Sequence, residues 1–248
     1  MILCVDSGNS RIKWGLHADG AWRETGAIDH ADVAQLAALP QRLPMPANLM
    51  MSNVAGEAAR LAIRQALLPW LAVLHEIEST ASAGGVTNLY DNPARLGVDR
   101  WCALIGARAI TTAPCVVVMA GTATTVDKLD GDGRFLGGLI LPGLELMRRS
   151  LARDTAALPL AAGKYSVYPR CTDDAITSGC IEAQAGAIER ACSRLGAEAH
   201  CLLSGGAAGV IGEHLGVPHA LVANLVLEGL LRLAGESPAA HAAGKISG

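Results

Sequence analysis

Two short glycine turns, each entered by an apolar run and followed by another, lie 113 positions apart in a chain of 248 residues. The first reads Ile2-Leu3-Cys4-Val5-Asp6-Ser7-Gly8-Asn9-Ser10, and the second Val116-Val117-Val118-Met119-Ala120-Gly121-Thr122-Ala123-Thr124-Thr125. Aligned on Gly8 and Gly121, they set Asn9 opposite Thr122, and apolar residues return at Ile12 and Trp14 in one copy and at Val126 and Leu129 in the other. The spacing predicts strand, tight turn, strand twice over, and so two related halves. A glycine turn lets backbone N–H groups approach an anion closely, and hydroxyl and amide side chains add donors. Two such turns facing one another across a cleft can hold a polyphosphate from both sides, which points to a nucleotide-using enzyme.

The length suits one large or two modest domains with a substantial core. Hydrophobic residues make up 51% and charged residues 17%, which predicts a compact globule rather than a disordered chain. A net charge of −3 gives no electrostatic reason to expect nucleic acid or an anionic membrane as partner. Seven scattered cysteines without a C-x-x-C pair read as small core residues in a reducing compartment, not as a disulfide frame or zinc site. The apolar N-terminal run stops at Asp6 without a preceding basic segment, unlike a signal peptide, and the expected location is the cytoplasm.

Along the chain, strands are expected at 2–6, 12–16, 48–54, 115–119, 124–129, 134–140 and 199–203. Helices are expected at 57–68, 98–110, 143–153, 173–195 and 221–234. The polar, glycine-bearing stretch 80–92 reads as a loop, and the tail from Gly235 as frayed. A domain boundary is placed before Pro114, giving an N-terminal domain of residues 1–113 and a C-terminal domain of 114–248, whose last helix is free to pack back on the first.

No G-x-x-x-x-G-K-[ST] loop occurs, and the first turn leads into alternating residues rather than a helix, so neither a P-loop nor a dinucleotide fingerprint is present. Ser204-Gly205-Gly206-Ala207 forms a third glycine turn after a strand. Asp6, at the end of its strand, either caps the turn or holds Mg²⁺ against phosphates, a metal that takes one or two carboxylates plus phosphate oxygens. Asp127, six residues past Gly121, is a second carboxylate of the same kind. Asp99 opens a helix just after Gly97, where it either stabilises the helix dipole or acts on a substrate. Arg100 beside it suits a carboxylate or an internal salt bridge.

Six segments, in order and spacing, resemble the type III pantothenate kinase family: Asp6 to Ser10; Tyr90 through Pro93 to Gly97-Val98-Asp99-Arg100; Gly121 to Asp127; Gly137 to Gly143; Thr172 with Ala175-Ile176 and Gly179; and Ser204 to Ala207. The resemblance implies an α/β fold of two ribonuclease-H-like, actin-like domains around a cleft, usually dimeric. It implies ATP as phosphoryl donor to the primary hydroxyl of pantothenate, Mg²⁺, and K⁺ or NH₄⁺ as activator. Asp99 becomes the expected catalytic base. Asp6, Gly8, Asn9, Ser10, Lys13, Gly121, Thr122, Ala123 and Thr124 are expected at the phosphates, with Gly205 and Gly206 beside the adenosine. Tyr90, Gly97, Val98, Arg100 and Thr172 are expected around the acceptor, and Asp6 and Asp127 at the metal.

Two positions depart from the family's pattern. Met119 stands where members commonly carry an aspartate two residues before the second glycine, and Cys171 where an asparagine often precedes the threonine. The competing readings are another actin-like kinase or phosphohydrolase, which leaves Gly97-Val98-Asp99-Arg100 unexplained, and a nucleotide-binding regulator, which Met119 favours and the three aspartates oppose.

Overall fold

A computed structural model of the chain describes residues 1–160 and 162–236. It divides into two compact units: Met1–Ile110 together with Leu225–Glu236, and Thr111–Asn224. In the first unit, β1 (Ile2–Ser7), β2 (Arg11–Ala18) and β3 (Ala21–Asp29) run as an antiparallel meander. After the short α1 (Ala38–Arg42), β4 (Asn48–Asn53) joins β1 in parallel, and after α2 (Glu57–Ala66), β5 (Leu74–Glu76) joins β4 in parallel. The sheet order is therefore β3-β2-β1-β4-β5. Alternate residues of β1 face opposite ways. Leu3 and Val5 enter a core with Ile12, Trp14, Leu49, Met51 and Ile63, while Cys4 and Asp6 point to the other face.

That other face is covered by α3 (Val98–Ile110) and by the C-terminal helix that returns to this unit at Leu225. The two helices cross at Gly106 and Gly229, where a Cβ would overlap the Leu225 carbonyl and the Cys102 carbonyl respectively. Glycine is required there by the closeness of the backbones. The stretch expected to be a loop holds a small hairpin, β6 (Ser82–Ala83) and β7 (Val86–Asn88). Gly84 and Gly85 turn it with φ of +61° and +82°, as a primed hairpin turn requires.

The second unit repeats the plan. Strands β8 (Cys115–Ala120), β9 (Ala123–Leu129) and β10 (Arg134–Pro142) form an antiparallel meander, α4 (Leu144–Asp154) and α5 (Thr172–Leu195) follow, and β11 (His200–Ser204) joins β8 in parallel. After α6 (Ala208–Gly212), β12 (Ala220–Leu221) joins β11 in parallel. The order β10-β9-β8-β11-β12 is that of the first unit strand for strand. Val116, Val118, Ala120 and Val126 pack on Ile188, Ala191 and Ile211 of α5 and α6. The last helix, α7 (Leu225–Glu236), takes in Gly235; the remainder of the tail lies outside the described residues.

Strands β3, β5 and β12 and helices α1 and α6 were not expected. β3 carries Arg23, Glu24, Thr25 and Asp29 and buries no residue, alternating between exposed and half-buried positions, and it is held by its pairing with β2. β5, β12 and α6 are too short to show a period. Six cysteines are buried, Cys171 is exposed, and none is bridged.

Candidate functional site

In the first unit the register lines up Lys13, Asp6 and Ser52 across neighbouring strands, on the face that α3 covers. Partners in register share a sheet face, so these three side chains form one polar row. Asp6 is 7% exposed, and Ser52 Oγ donates to its Oδ1 at 3.3 Å. Burial pushes the Asp6 carboxyl up to about 7, the negative charge of Asp99 adds to this, and Lys13 and the Ser52 hydrogen bond oppose it. Cys102, one turn along α3 and wholly buried, is pushed far up by burial and by both aspartates, so it stays a thiol.

Asp99 sits half-buried in the first turn of α3, with Oδ1 accepting the Arg100 N–H at 2.8 Å. A Cβ on Gly97 would come within 2.7 Å of that oxygen, so the missing side chain is what lets the carboxylate fold back there. Arg100 is buried, its Nη1 donating to the Tyr90 hydroxyl at 3.1 Å and its guanidinium 5.8 Å from the Tyr90 ring centre. Asn88 fixes the preceding loop, accepting from Tyr90 N and donating to the Pro93 carbonyl. Val98 is the first residue of α3. The first glycine turn closes through Gly8 N to Arg11 O at 3.1 Å, with Asn9 and Ser10 exposed and His30 Nε2 2.7 Å from the Gly8 carbonyl oxygen. Asp6, Lys13 and Asp99 thus come together, and Tyr90 and Arg100 form a second pair beside Asp99.

In the second unit, Gly121 N donates to Ala123 O at 3.0 Å, closing the second turn one residue tighter than the first. Gly143 N donates to the Thr122 carbonyl, and Ala207 N to the Ala120 carbonyl, so the end of β10 and the third glycine turn both brace this loop. Gly205 has φ +105°, and a Cβ there would overlap Ala120; Gly206 faces open space. A cavity of about 290 Å³ runs from Gly121 to Gly206, walled by Leu144, Ile181 and Val210. A larger one, about 670 Å³, lies by His200, Cys201 and His219 and includes no expected site residue in its lining. The smaller cavity is the one joined to the glycine turns. Thr124 is fully buried on the face toward α5 and α6, whereas Asp127, 1% exposed, shares the opposite face with Thr125 and Met119. Thr172 opens α5 and is exposed, as is Cys171 before it.

The hydroxyls of Ser7, Thr124 and Thr125 are buried without a hydrogen-bond partner. Buried polar groups are normally paired, so each of these three has capacity for a partner that the protein does not supply, although Thr124 and Thr125 lie on opposite faces of β9. The side chains of the two turns that are exposed to a polyphosphate are Asn9, Ser10 and Thr122. For a metal, no group of three or more His, Cys, Asp or Glu exists among the described residues. A lone buried carboxylate such as Asp6 fits Mg²⁺, which leaves most of its shell to phosphate and water. Ser7, Ser52 and Thr125 were not among the expected site residues. Ser7 and Thr125 lie inside the matched motifs, but Ser52 becomes visible only through the pairing of β1 with β4.

A profile of the family described as type III pantothenate kinase matches residues 2–194. The chain is 58% identical over 235 residues to a type III pantothenate kinase of Dechloromonas aromatica, covering 94% of this chain and 99% of that one. It is 52% identical over 242 residues to one of Aromatoleum aromaticum, covering 97% and 100%. Among solved structures, a putative Baf family transcriptional activator from Campylobacter jejuni superposes with a TM-score of 0.64 at 20% identity, over 95% of this chain and 98% of that one. A putative 2-dehydro-3-deoxygalactonokinase from Sinorhizobium meliloti does so with 0.59 at 14% identity, over 95% and 99%. These likenesses carry the fold, an actin-like α/β architecture.

Proposed function

The chain belongs to the type III pantothenate kinase family, and we propose that its first unit holds and activates the acceptor while its second seats the nucleotide. It phosphorylates pantothenate in coenzyme A biosynthesis, and as a kinase it draws the phosphoryl group from ATP. Phosphoryl transfer passes through a loose transition state, so catalysis is mostly positioning and charge neutralisation. Asp99 acts as the base: with Oδ1 bonded to Arg100 N, Oδ2 remains to orient the primary hydroxyl and take its proton late in the transfer. The observation that carries this assignment is the Asp6–Asp99 pair. Burial first and the negative charge of Asp99 second raise the Asp6 carboxyl, and a carboxylate so raised suits a cation or a proton at that point.

Arg100 and Tyr90 hold the acceptor's carboxylate end, with Gly97, Val98 and Thr172 completing its surroundings. Gly8, Asn9, Ser10 and Lys13 in the first unit and Gly121, Thr122, Ala123 and Thr124 in the second contact phosphate oxygens, while Gly205 and Gly206 lie along the adenosine. Asp6 and Asp127 are the residues that would hold Mg²⁺, whose contribution when bound is to neutralise charge on the phosphates. K⁺ or NH₄⁺ is included as an activator on family grounds, with no residue assigned to it. The proposal extends to a cytoplasmic homodimer without nucleic-acid or membrane partners.

A coupled assay of ADP release tests this. ATP and pantothenate together should give turnover that K⁺ or NH₄⁺ raises and that sugars do not support. ADP release independent of pantothenate would overturn the reading.

A further inference from the structure

Two residues lining the 290 Å³ cavity of the second unit, Arg148 on α4 and Thr177 on α5, each carry a covered polar atom, Nε and Oγ1, that the protein leaves without a partner. A threonine inside a helix often turns its hydroxyl to the carbonyl four residues back. Thr177 makes no such bond. Arg148 spends Nη2 on Glu145, and that carboxylate also accepts from Arg149 Nε at 3.0 Å, so Glu145 does not depend on Arg148 for a partner. The rest of the wall is apolar (Leu144, Ile181, Ala207 and Val210 among it) except for Glu145, whose carboxylate is already held by Arg148 and Arg149. A largely apolar cavity whose lining residues carry two unsatisfied polar atoms suits a heteroaromatic base.

We infer that Arg148 and Thr177 read the base of the nucleotide donor and make the site select purines; this rests on the proposed seating of the nucleoside in the second unit. Arg148 Nε–H can only donate, whereas a hydroxyl either donates or accepts. Adenine presents a ring-nitrogen acceptor, N7, beside the N6 amino donor, and guanine presents N7 beside the O6 acceptor. Arg148 takes N7 in both cases. Thr177 accepts from the amino group of adenine or turns to donate to the oxygen of guanine. A pyrimidine has no N7 and leaves Arg148 unanswered. Both atoms are covered in their present rotamers, so engagement needs a turn about Thr177 χ1 and a swing of Arg148, which Glu145 tolerates through Arg149.

The test is calorimetric titration of ADP, GDP, UDP and tripolyphosphate into the wild type, Thr177→Val and Arg148→Met. The wild type should bind ADP and GDP within a few-fold of each other and UDP about 10-fold more weakly, the value of one hydrogen bond. Each variant should lose about 10-fold for ADP and nothing for tripolyphosphate. Thr177→Val should also keep or raise the unfolding midpoint, since a methyl group replaces an unpaired buried hydroxyl. Equal affinity for UDP and ADP in the wild type, unchanged ADP affinity in both variants, or a lowered midpoint for Thr177→Val would overturn the inference. Pantothenate phosphorylation by the wild type is measured alongside. Intact turnover with unaltered variant affinity removes only this assignment, whereas a wild type that neither binds nucleotide nor turns over removes the kinase reading as well.

Discussion

Asp6→Asn in the nucleotide-free, chelator-treated protein separates the electrostatics of the first unit from its chemistry. A carboxyl whose folded value is about 7, against an ordinary 3.8, is disfavoured as an anion by about 4 kcal/mol at about 1.36 kcal/mol per pH unit. Relaxation around the charge reduces that figure. The sign follows from proton counting: between pH 3.8 and 7 the folded chain retains a proton on Asp6 that the unfolded chain has released, so stability falls as pH rises through that window and levels off above 7. Asparagine is neutral throughout and can still accept from Ser52. Its advantage over the wild type should therefore grow from pH 4.5 to pH 8 by about 2–3 kcal/mol, roughly 4–12 °C in unfolding midpoint for a chain of this size. All four tryptophans, Trp14, Trp22, Trp70 and Trp101, lie in the first unit, so intrinsic fluorescence reports its unfolding selectively. An advantage that is the same at both pH values, or a variant less stable than the wild type at pH 8, would refute the argument that burial and Asp99 strain this carboxylate.

Other substitutions probe the remaining assignments. Asp99→Asn should keep the fold and lower pantothenate turnover by about 10²–10⁴-fold, the usual worth of a general base, as measured by ADP release. Near-normal turnover would remove Asp99 from the chemistry. Gly229→Ala should lower the stability of the first unit by about 1–3 kcal/mol, because its methyl group has no space against the Cys102 carbonyl; unchanged denaturation by tryptophan fluorescence would show that α3 and α7 can separate freely. Met119→Asp should change the Mg²⁺ concentration that supports half-maximal turnover, and an unaltered metal response would mean that this position takes no part.

Where the chain could be read directly, the signal was local. The apolar runs entering Gly8 and Gly121 became β1 and β8, and the helix expected at 98–110 became α3 at those bounds, because burial there imposes a period that residue types reveal. β3 escaped because Arg23, Glu24, Thr25 and Asp29 fall within a strand that is held by backbone hydrogen bonds to β2 and only half-buries alternate positions. The site divides in the same way. Motif spacing picked out Asp6 and Asp99 separately, but their mutual influence depends on α3 lying over the sheet, a tertiary fact. Ser52 reaches Asp6 through a parallel pairing across 46 residues, which no local pattern encodes. Arg148 and Thr177 meet one cavity only because α4 packs on α5.

The shared strand order makes the difference between the two units interpretable row by row. In the first, Lys13, Asp6 and Ser52 are in register; the topologically equivalent row of the second is Thr125, Met119 and Ser204. The first row buries a charge at a cost, and a buried carboxylate facing a second one is justified in a folded chain only where a cation or proton arrives to meet it. The second row is neutral and needs nothing to neutralise it, yet it leaves the Thr125 hydroxyl buried and unpartnered beside a thioether that is a weak acceptor. An aspartate at 119 would accept that hydrogen bond and would also recreate, in the second unit, the strained carboxylate of the first. The shared strand order gives two equivalent frames. With Met119 in place of a carboxylate, the second row offers hydroxyls and no charge, and of the paired rows only the first carries charged side chains, Asp6 and Lys13.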